Sequence, residues 1–319
     1  MSNQLCPVCK GITAPFFVGK RDLLECIHCH IVFDTRVSYD RNFYEHQRAA
    51  SVDATKIDAR RRNVRQRINL IKTLLHKDIS LLDIGCGEGV FLREVLADVR
   101  EATGLEPTLF YVNYAREHFN LDVRQGLIED VDFPDGAFSV ITMFHVIEHV
   151  DDPVAALKKI GRWLQTGGHL VIEVPNIKSP TARYKGLDWE MIIPEHRFQF
   201  YGESLRYVLD RAGFRLISVR TRDFDQYRTS IGKNLRKLGI GKQRYEPKAL
   251  PVGHAVSVPG ISDGPTSAAK KIRRFIQLPL KALLGWLVMK LNRSDYLFAI
   301  ARKSENKTDL ARLEEMFRA

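Results

Sequence analysis

The chain has 319 residues, is 45% hydrophobic and carries a formal net charge of +11. That length supports one large domain with appendages, and the apolar share is ordinary for a folded, water-facing protein. No uninterrupted apolar run approaches the ~20 residues that span a bilayer, and Met1 to Cys6 has no apolar core of a secretory signal, so a cytoplasmic protein is expected.

Four of the five cysteines come first, as Cys6-x-x-Cys9 and Cys26-x-x-Cys29. Two such pairs predict a four-thiolate zinc ribbon over residues 1–36, because each C-x-x-C knuckle turns two sulfurs toward one metal. A disulfide alternative is disfavoured in a cytosol. Four protein ligands leave no open coordination position, so a structural zinc is expected. His28 and His30 are spare donors that Cys29 makes unnecessary. Residues 37–78 read as a helical lead-in: Tyr39 to His46, then an Arg-rich stretch through Lys72. Val64, Ile68, Ile71 and Leu75 recur at helical spacing and predict a face packed on the domain.

The core is expected over residues 79–222. Leu81-Leu82-Asp83 ends a buried strand, and Gly85, Gly87 and Gly89 then open a helix. Glycine lets the backbone turn sharply and approach a ligand, whose partners are the amides of the next helix. Glu106 ends the next apolar run, 23 residues after Asp83, where a carboxylate suits the hydroxyls of a ribose. Cys86 reads as a small loop residue. Further on, Phe133-Pro134-Asp135-Gly136 leads into Phe138 to Ile141, and Gly167-Gly168 leads into His169 to Pro175. Strands and helices alternate from Ser80 to Ser218, which predicts an α/β, doubly wound, mostly parallel sheet.

The D-x-G-x-G-x-G spacing with its downstream turns resembles the class I S-adenosylmethionine-dependent methyltransferases over roughly residues 70–220. The resemblance implies a Rossmann-like seven-stranded sheet. It also implies that Asp83, Gly85, Gly87 and Gly89 hold the methionine end of the cofactor and that Glu106 holds its ribose. Two positions depart from the pattern. Leu127 follows Gly126 where an adenine-binding Asp is common, which leaves adenine to backbone groups near Ile128 and Glu129. Ser139 stands where an Asp is common.

His145-Val146-Ile147-Glu148-His149 matches the zinc-protease pattern H-x-x-E-H. That chemistry needs one helix presenting both histidines. The run Ser139 to Phe144 is strand-like, and Asp152-Pro153 starts the next helix too late, so the protease reading is set aside. At the end of a fourth strand, His145 is expected to line the acceptor pocket, with Glu148 and His149 fixing the loop by hydrogen bonds.

Pro194 to Leu205 follows the fifth strand. The ribbon, the tyrosine-rich segment near Tyr44 and this Glu195-His196-x-Phe198 stretch together resemble zinc-ribbon methyltransferases of bacterial surface-glycan and modified-sugar pathways, including sugar C-methyltransferases. That resemblance implies that His196 faces the methyl acceptor. Histidine suits a base near neutral pH, and Glu195 would orient it. The other reading of His196 is a satisfied histidine in a capping loop.

Arg215 to Val219 and Asp295 to Ala301 read as the last two strands, with residues 223–294 a basic insertion between them and residues 295–319 the last strand and a C-terminal helix. Residues 222–294 hold 15 Lys and Arg against 4 Asp and Glu, so they carry the whole net charge. Pro251 to Ser267 reads as a loop. Ala268 to Leu291 is amphipathic, with Lys270, Arg273, Arg274 and Lys281 opposite Ile272, Phe275, Trp286 and Leu287. Two readings stand: a helix packed on its own domain, or peripheral contact with an anionic membrane at the inner face.

The sequence therefore predicts a methyltransferase with S-adenosylmethionine and a structural zinc, acting on a glycan, nucleotide-sugar or lipid-linked small-molecule acceptor. Nucleic acid is the less favoured partner. The rival readings are an rRNA methyltransferase with a zinc ribbon, a quinone-type O-methyltransferase, and a zinc-dependent binding module with a vestigial cofactor pocket.

Overall fold

The largely apolar runs at 80–84, 138–144 and 170–175 are too continuous for strands with one wet face, and each is buried on nearly every residue. They form the centre of a sheet in a computed structural model that describes residues 4–17, 22–34, 54–222 and 294–304. The chain divides into two units, residues 1–223 with 292–319, and residues 224–291. The second unit lies outside the described residues. So do the loop Pro251 to Ser267, the amphipathic stretch Ala268 to Leu291, the segment Tyr39 to His46 and the expected C-terminal helix.

The described strands are β1 (Thr13–Phe17), β2 (Leu23–Cys26), β3 (Val32–Asp34), β4 (Ser80–Ile84), β5 (Glu101–Glu106), β6 (Asp122–Gln125), β7 (Phe138–Phe144), β8 (Leu164–Pro175), β9 (Phe198–Gln199), β10 (Phe214–Arg222) and β11 (Tyr296–Lys303). The described helices are α1 (Ala54–Ile71), α2 (Val90–Val95), α3 (Leu109–Phe119), α4 (Pro153–Trp163), α5 (Pro180–Lys185) and α6 (Gly202–Arg211).

The large sheet has seven strands in the order β10-β11-β8-β7-β4-β5-β6. The pairs among β8, β7, β4, β5 and β6 are parallel, and β11 runs antiparallel between β8 and β10. This is the doubly wound, mostly parallel sheet that the alternation predicts. The order reverses between β4 and β7, and that switch opens a crevice at their carboxyl ends.

Local chemistry starts the helices. Asp152 Oδ1 accepts from the amides of Val154 (2.9 Å) and Ala155 (3.0 Å), and Pro153 supplies a preset φ at the first turn of α4. This helix then buries Ala156, Leu157, Ile160 and Trp163 on one face. Val64 and Ile71 of α1 are buried in a cluster with Leu81, Phe91 and Val140, and Ile68 and Leu75 pack at its margin.

The smaller sheet is antiparallel, in the order β1-β2-β3-β9. Its fourth strand comes from the segment after β8: Val32 pairs with Gln199 and Phe33 with Phe198. The ribbon and the Glu195-His196 segment are therefore one sheet, a pairing between distant parts of the chain that no local pattern announces.

Candidate active site

The loop from Ile84 to Val90 makes one wall of the crevice. Gly85, Gly87 and Gly89 all have left-handed φ, of 71°, 53° and 81°. At Gly85 a Cβ would also lie 2.5 Å from Val146 Cγ2, and at Gly89 2.6 Å from Leu121 Cδ1, so the two outer glycines are required by space as well as by conformation. A cavity of about 430 Å³ opens beside this loop. Its lining includes Gly85, Glu106, Leu127, Ile128 and Glu129 together with His145, His149 and Glu195. Asp83, Gly87 and Gly89 stand behind this lining. Cys86 is buried, and burial holds its thiol well above the usual range, so it is no nucleophile.

Glu106 is nearly buried. Its Oε2 accepts from the Gly87 amide (2.9 Å) and its Oε1 from the Thr108 amide (3.0 Å). Burial raises its pKa and the two amides oppose that rise. Asp83 is also buried, with Oδ1 accepting from the Thr142 hydroxyl at 2.6 Å. Burial outweighs that hydrogen bond and pushes its pKa up to about 7. Burial thus makes both acids at the switch point costlier to ionise than exposed acids.

His145 terminates β7 with φ 60°, uncommon for a residue with a Cβ. Its amide donates to Glu173 O (2.9 Å), and its Nε2 and Nδ1 lie 3.2 Å from Glu173 Oε1 and 3.3 Å from Glu148 Oε1. Burial opposes a charge on the ring, but Glu148 and Glu173 outweigh it and raise the pKa to about 9. His145 is therefore a cation near neutral pH, a hydrogen-bond donor rather than a base. Glu173 has no exposed surface; burial opposes its ionisation, and Arg67, His145 and Arg222 more than reverse this. Arg67 Nη2 lies 2.5 Å and Arg222 Nη1 3.1 Å from its carboxylate. This network ties α1, β7, β8 and β10 together beneath the cavity. Arg67 and Glu173 did not stand out as site residues in the sequence. The available signal was an acid inside the otherwise apolar run Leu170 to Val174, where burial requires a partner.

His149 lies in a turn rather than a helix, so the protease pattern lacks its required context. The ring lines the cavity, and its Nδ1 donates to Glu195 O (2.8 Å). His196 sits behind it, 6% exposed, with Nδ1 donating to Met191 O (2.7 Å). The two rings are 4.7 Å apart at 77°. Burial lowers the pKa of His196 and keeps it neutral. The structure thus brings His145, His149 and Glu195 to the cavity and holds His196 one layer back.

A second cavity, of about 640 Å³, is lined by Asn176, Lys178, Arg183, Tyr201, Thr221 and Leu297 among others. It lies past the same carboxyl edge of the sheet and carries two exposed cations. Lys178 and Tyr201 also reach the ribbon, since Lys178 Nζ is 3.3 Å from Glu25 and the Tyr201 hydroxyl donates to the same carboxylate.

In the ribbon, one ligand atom from each of Cys6, Cys9, Cys26 and Cys29 lies within 4.8 Å of the others. The sulfurs of Cys6 and Cys29 are 3.5 Å apart and those of Cys9 and Cys26 are 3.4 Å apart, with no disulfide among them. A tetrahedral zinc with ~2.3 Å bonds sets its sulfurs about 3.8 Å apart, so the donor set fits that ion. Lys10 and His30, each just after the second cysteine of a pair, have left-handed φ of 62° and 61°. A Cβ at Gly11 would come within 3.2 Å of two of the sulfurs.

Residues 55–219 match a family described as the methyltransferase domain. The chain is 31% identical over 137 residues to a protein of Mycolicibacterium smegmatis named a probable S-adenosylmethionine-dependent methyltransferase, covering 42% of this chain and 51% of that one. It is 28% identical over 165 residues to a tRNA U34 carboxymethyltransferase of Aliarcobacter butzleri, covering 47% and 52%. It is 29% identical over 102 residues to a ubiquinone biosynthesis O-methyltransferase of Alkalilimnicola ehrlichii, covering 30% and 41%. The chain spans about half the length of the first two relatives and less of the third.

Proposed function

Because the chain belongs to the methyltransferase-domain family, we propose that it is an S-adenosylmethionine-dependent methyltransferase acting on a phosphate-bearing sugar, either a nucleotide-sugar or a lipid-linked glycan. The observation that carries this reading is the cavity at the carboxyl ends of β4 and β5, with the Glu106 carboxylate on one wall and His149 on the other. Bound there, the cofactor supplies an electrophilic methyl group on a positively charged sulfur. Glu106 accepts from the ribose hydroxyls with the lone pairs its two amide donors leave. Asp83 supplies negative charge behind the glycine loop, and the backbone at Ile128 and Glu129 meets the adenine in place of the acid that Leu127 replaces. On the acceptor side, Glu148, His149 and His196 lower the cost of removing the acceptor's proton. His196, expected as a free base that Glu195 orients, stands behind His149, and the Glu195 carbonyl orients the His149 ring instead.

The sugar acceptor rests on Lys178 and Arg183 in the second cavity, where two cations suit phosphate oxygens. The ribbon, with a structural zinc on Cys6, Cys9, Cys26 and Cys29, braces that cavity through Glu25. The basic stretch 223–294 suits an anionic membrane carrying a lipid-linked acceptor.

Methyl transfer followed by mass spectrometry tests the proposal, using cofactor with a deuterated methyl group and a panel of nucleotide-sugars, lipid extracts, RNA and quinone precursors. Label on a sugar of the first two classes is expected, together with partitioning of the chain onto phosphatidylglycerol vesicles that fades at high salt. Label on RNA or a quinone precursor alone would contradict the acceptor class. Cofactor binding with no turnover on any acceptor would leave a binding module.

A further inference from the structure

We propose that Glu148, His149 and His196 form a binding site for a divalent first-row transition-metal ion on the acceptor-side wall of the cavity. One ligand atom from each of the three lies within 4.8 Å of the others. The hydrogen bonds of the rings decide which nitrogens are available. A carbonyl oxygen only accepts, so Nδ1 of His149 carries its proton toward Glu195 O, and Nδ1 of His196 carries its proton toward Met191 O. In a neutral ring each Nε2 is then a bare lone pair. Fixing the tautomer through a backbone carbonyl is the usual outer support of a metal-ligating histidine.

Glu148 supplies the second observation. It is 1% exposed, and its Oε2 has no hydrogen-bond partner among the described residues. A buried carboxylate oxygen without a partner costs free energy comparable to the loss of a hydrogen bond or more. His145 Nδ1 lies 3.3 Å from the other oxygen, Oε1. No donor comes from His149 or His196, whose proton-bearing nitrogens point to carbonyls. The Phe198 amide donates to Glu148 O (3.1 Å), so the turn carrying the carboxylate is pinned to β9. The nitrogens that these two rings leave available and the Glu148 carboxylate are all acceptors, with no donor among them. A cation resolves that arrangement.

Two imidazoles and one carboxylate suit a first-row transition ion, and three protein ligands leave positions open. Because His149 lines the cavity, the open positions face the acceptor. This deepens, and rests on, the methyltransferase reading. An acceptor hydroxyl bound to the ion loses its proton to water more readily, because the ion stabilises the resulting oxyanion. The oxygen then forms its bond to the methyl carbon as the carbon–sulfur bond breaks, with that electron pair going to the sulfur.

Manganese(II) titrated into the zinc-replete full chain and followed by electron paramagnetic resonance tests the site, since the hexaaqua signal disappears on binding and a thiolate set prefers zinc. One equivalent should bind. Glu148→Gln and His149→Ala should each weaken binding by about tenfold or more. Calorimetry with S-adenosylmethionine on the same samples reports the folded pocket. Equal manganese binding by the intact chain and both variants, or none by an intact chain that binds cofactor, would overturn the metal site and leave the methyltransferase reading standing. Failure of the intact chain to bind cofactor would instead strike the function. If Glu148→Gln loses cofactor affinity as well, His149→Ala decides.

Discussion

At the scale of single residues, burial sets the charges of the site. Asp83 is held near neutrality by its surroundings, with a pKa pushed up to about 7. A raised carboxylate pKa stabilises the empty protein at low pH, and that contribution is lost as pH rises through about 7. The cofactor's ammonium group reverses the sign, because it favours the ionised acid. Cofactor affinity should therefore rise between pH 6 and 8, by up to about tenfold per unit below the pKa, and Asp83→Asn should flatten this dependence. Calorimetry across that range checks it; an equal slope in the variant would remove Asp83 from the site. His145 shows the opposite case, as two carboxylates keep it charged up to about pH 9. Its sequence context announced a pocket residue but not its protonation state, because Glu173 lies 28 residues away on another strand.

At the scale of elements, the instructive one is β9. Its two residues complete the ribbon's sheet through Val32 and Phe33, and the residues just before it, Glu195 and His196, face the cavity or back it. Removing zinc should therefore be felt beyond the ribbon, because metal binding in so small a module is folding free energy. Cys9→Ser should speed amide exchange in β1, β2 and β3 and also at residues 195–200, while β4 and β7 stay protected. Hydrogen exchange by mass spectrometry reads this directly, and unchanged exchange at 195–200 would separate the ribbon from the site. The local patterns that were legible have local causes: the Asp152-Pro153 cap of α4, the three glycines and the paired cysteines each act within a few residues. The β3–β9 pairing and the Arg67–Glu173 ion pair join distant segments, and nothing in the flanking residues specifies the partner.

At the scale of the whole molecule, the mostly parallel sheet was readable from the alternation of apolar strands such as β4 and β7 with amphipathic helices such as α4, while the strand order was not read from the sequence. The late return of β11, after the basic stretch, places an antiparallel strand between β8 and β10, with Tyr296 edge-on to His145 and Leu297 lining the second cavity. Among the described residues no helix is long and apolar enough to cross a membrane. The account as a whole stands on the cavity between Glu106 and His149 being the cofactor site. Isothermal titration of S-adenosylmethionine into the full chain and into Glu106→Ala tests this most directly. The account predicts one equivalent bound per chain and an affinity lower by about 1.5–3 kcal/mol in the variant, the worth of a charge-assisted hydrogen bond. Equal affinity in the two proteins, or no binding in the intact one, would contradict it.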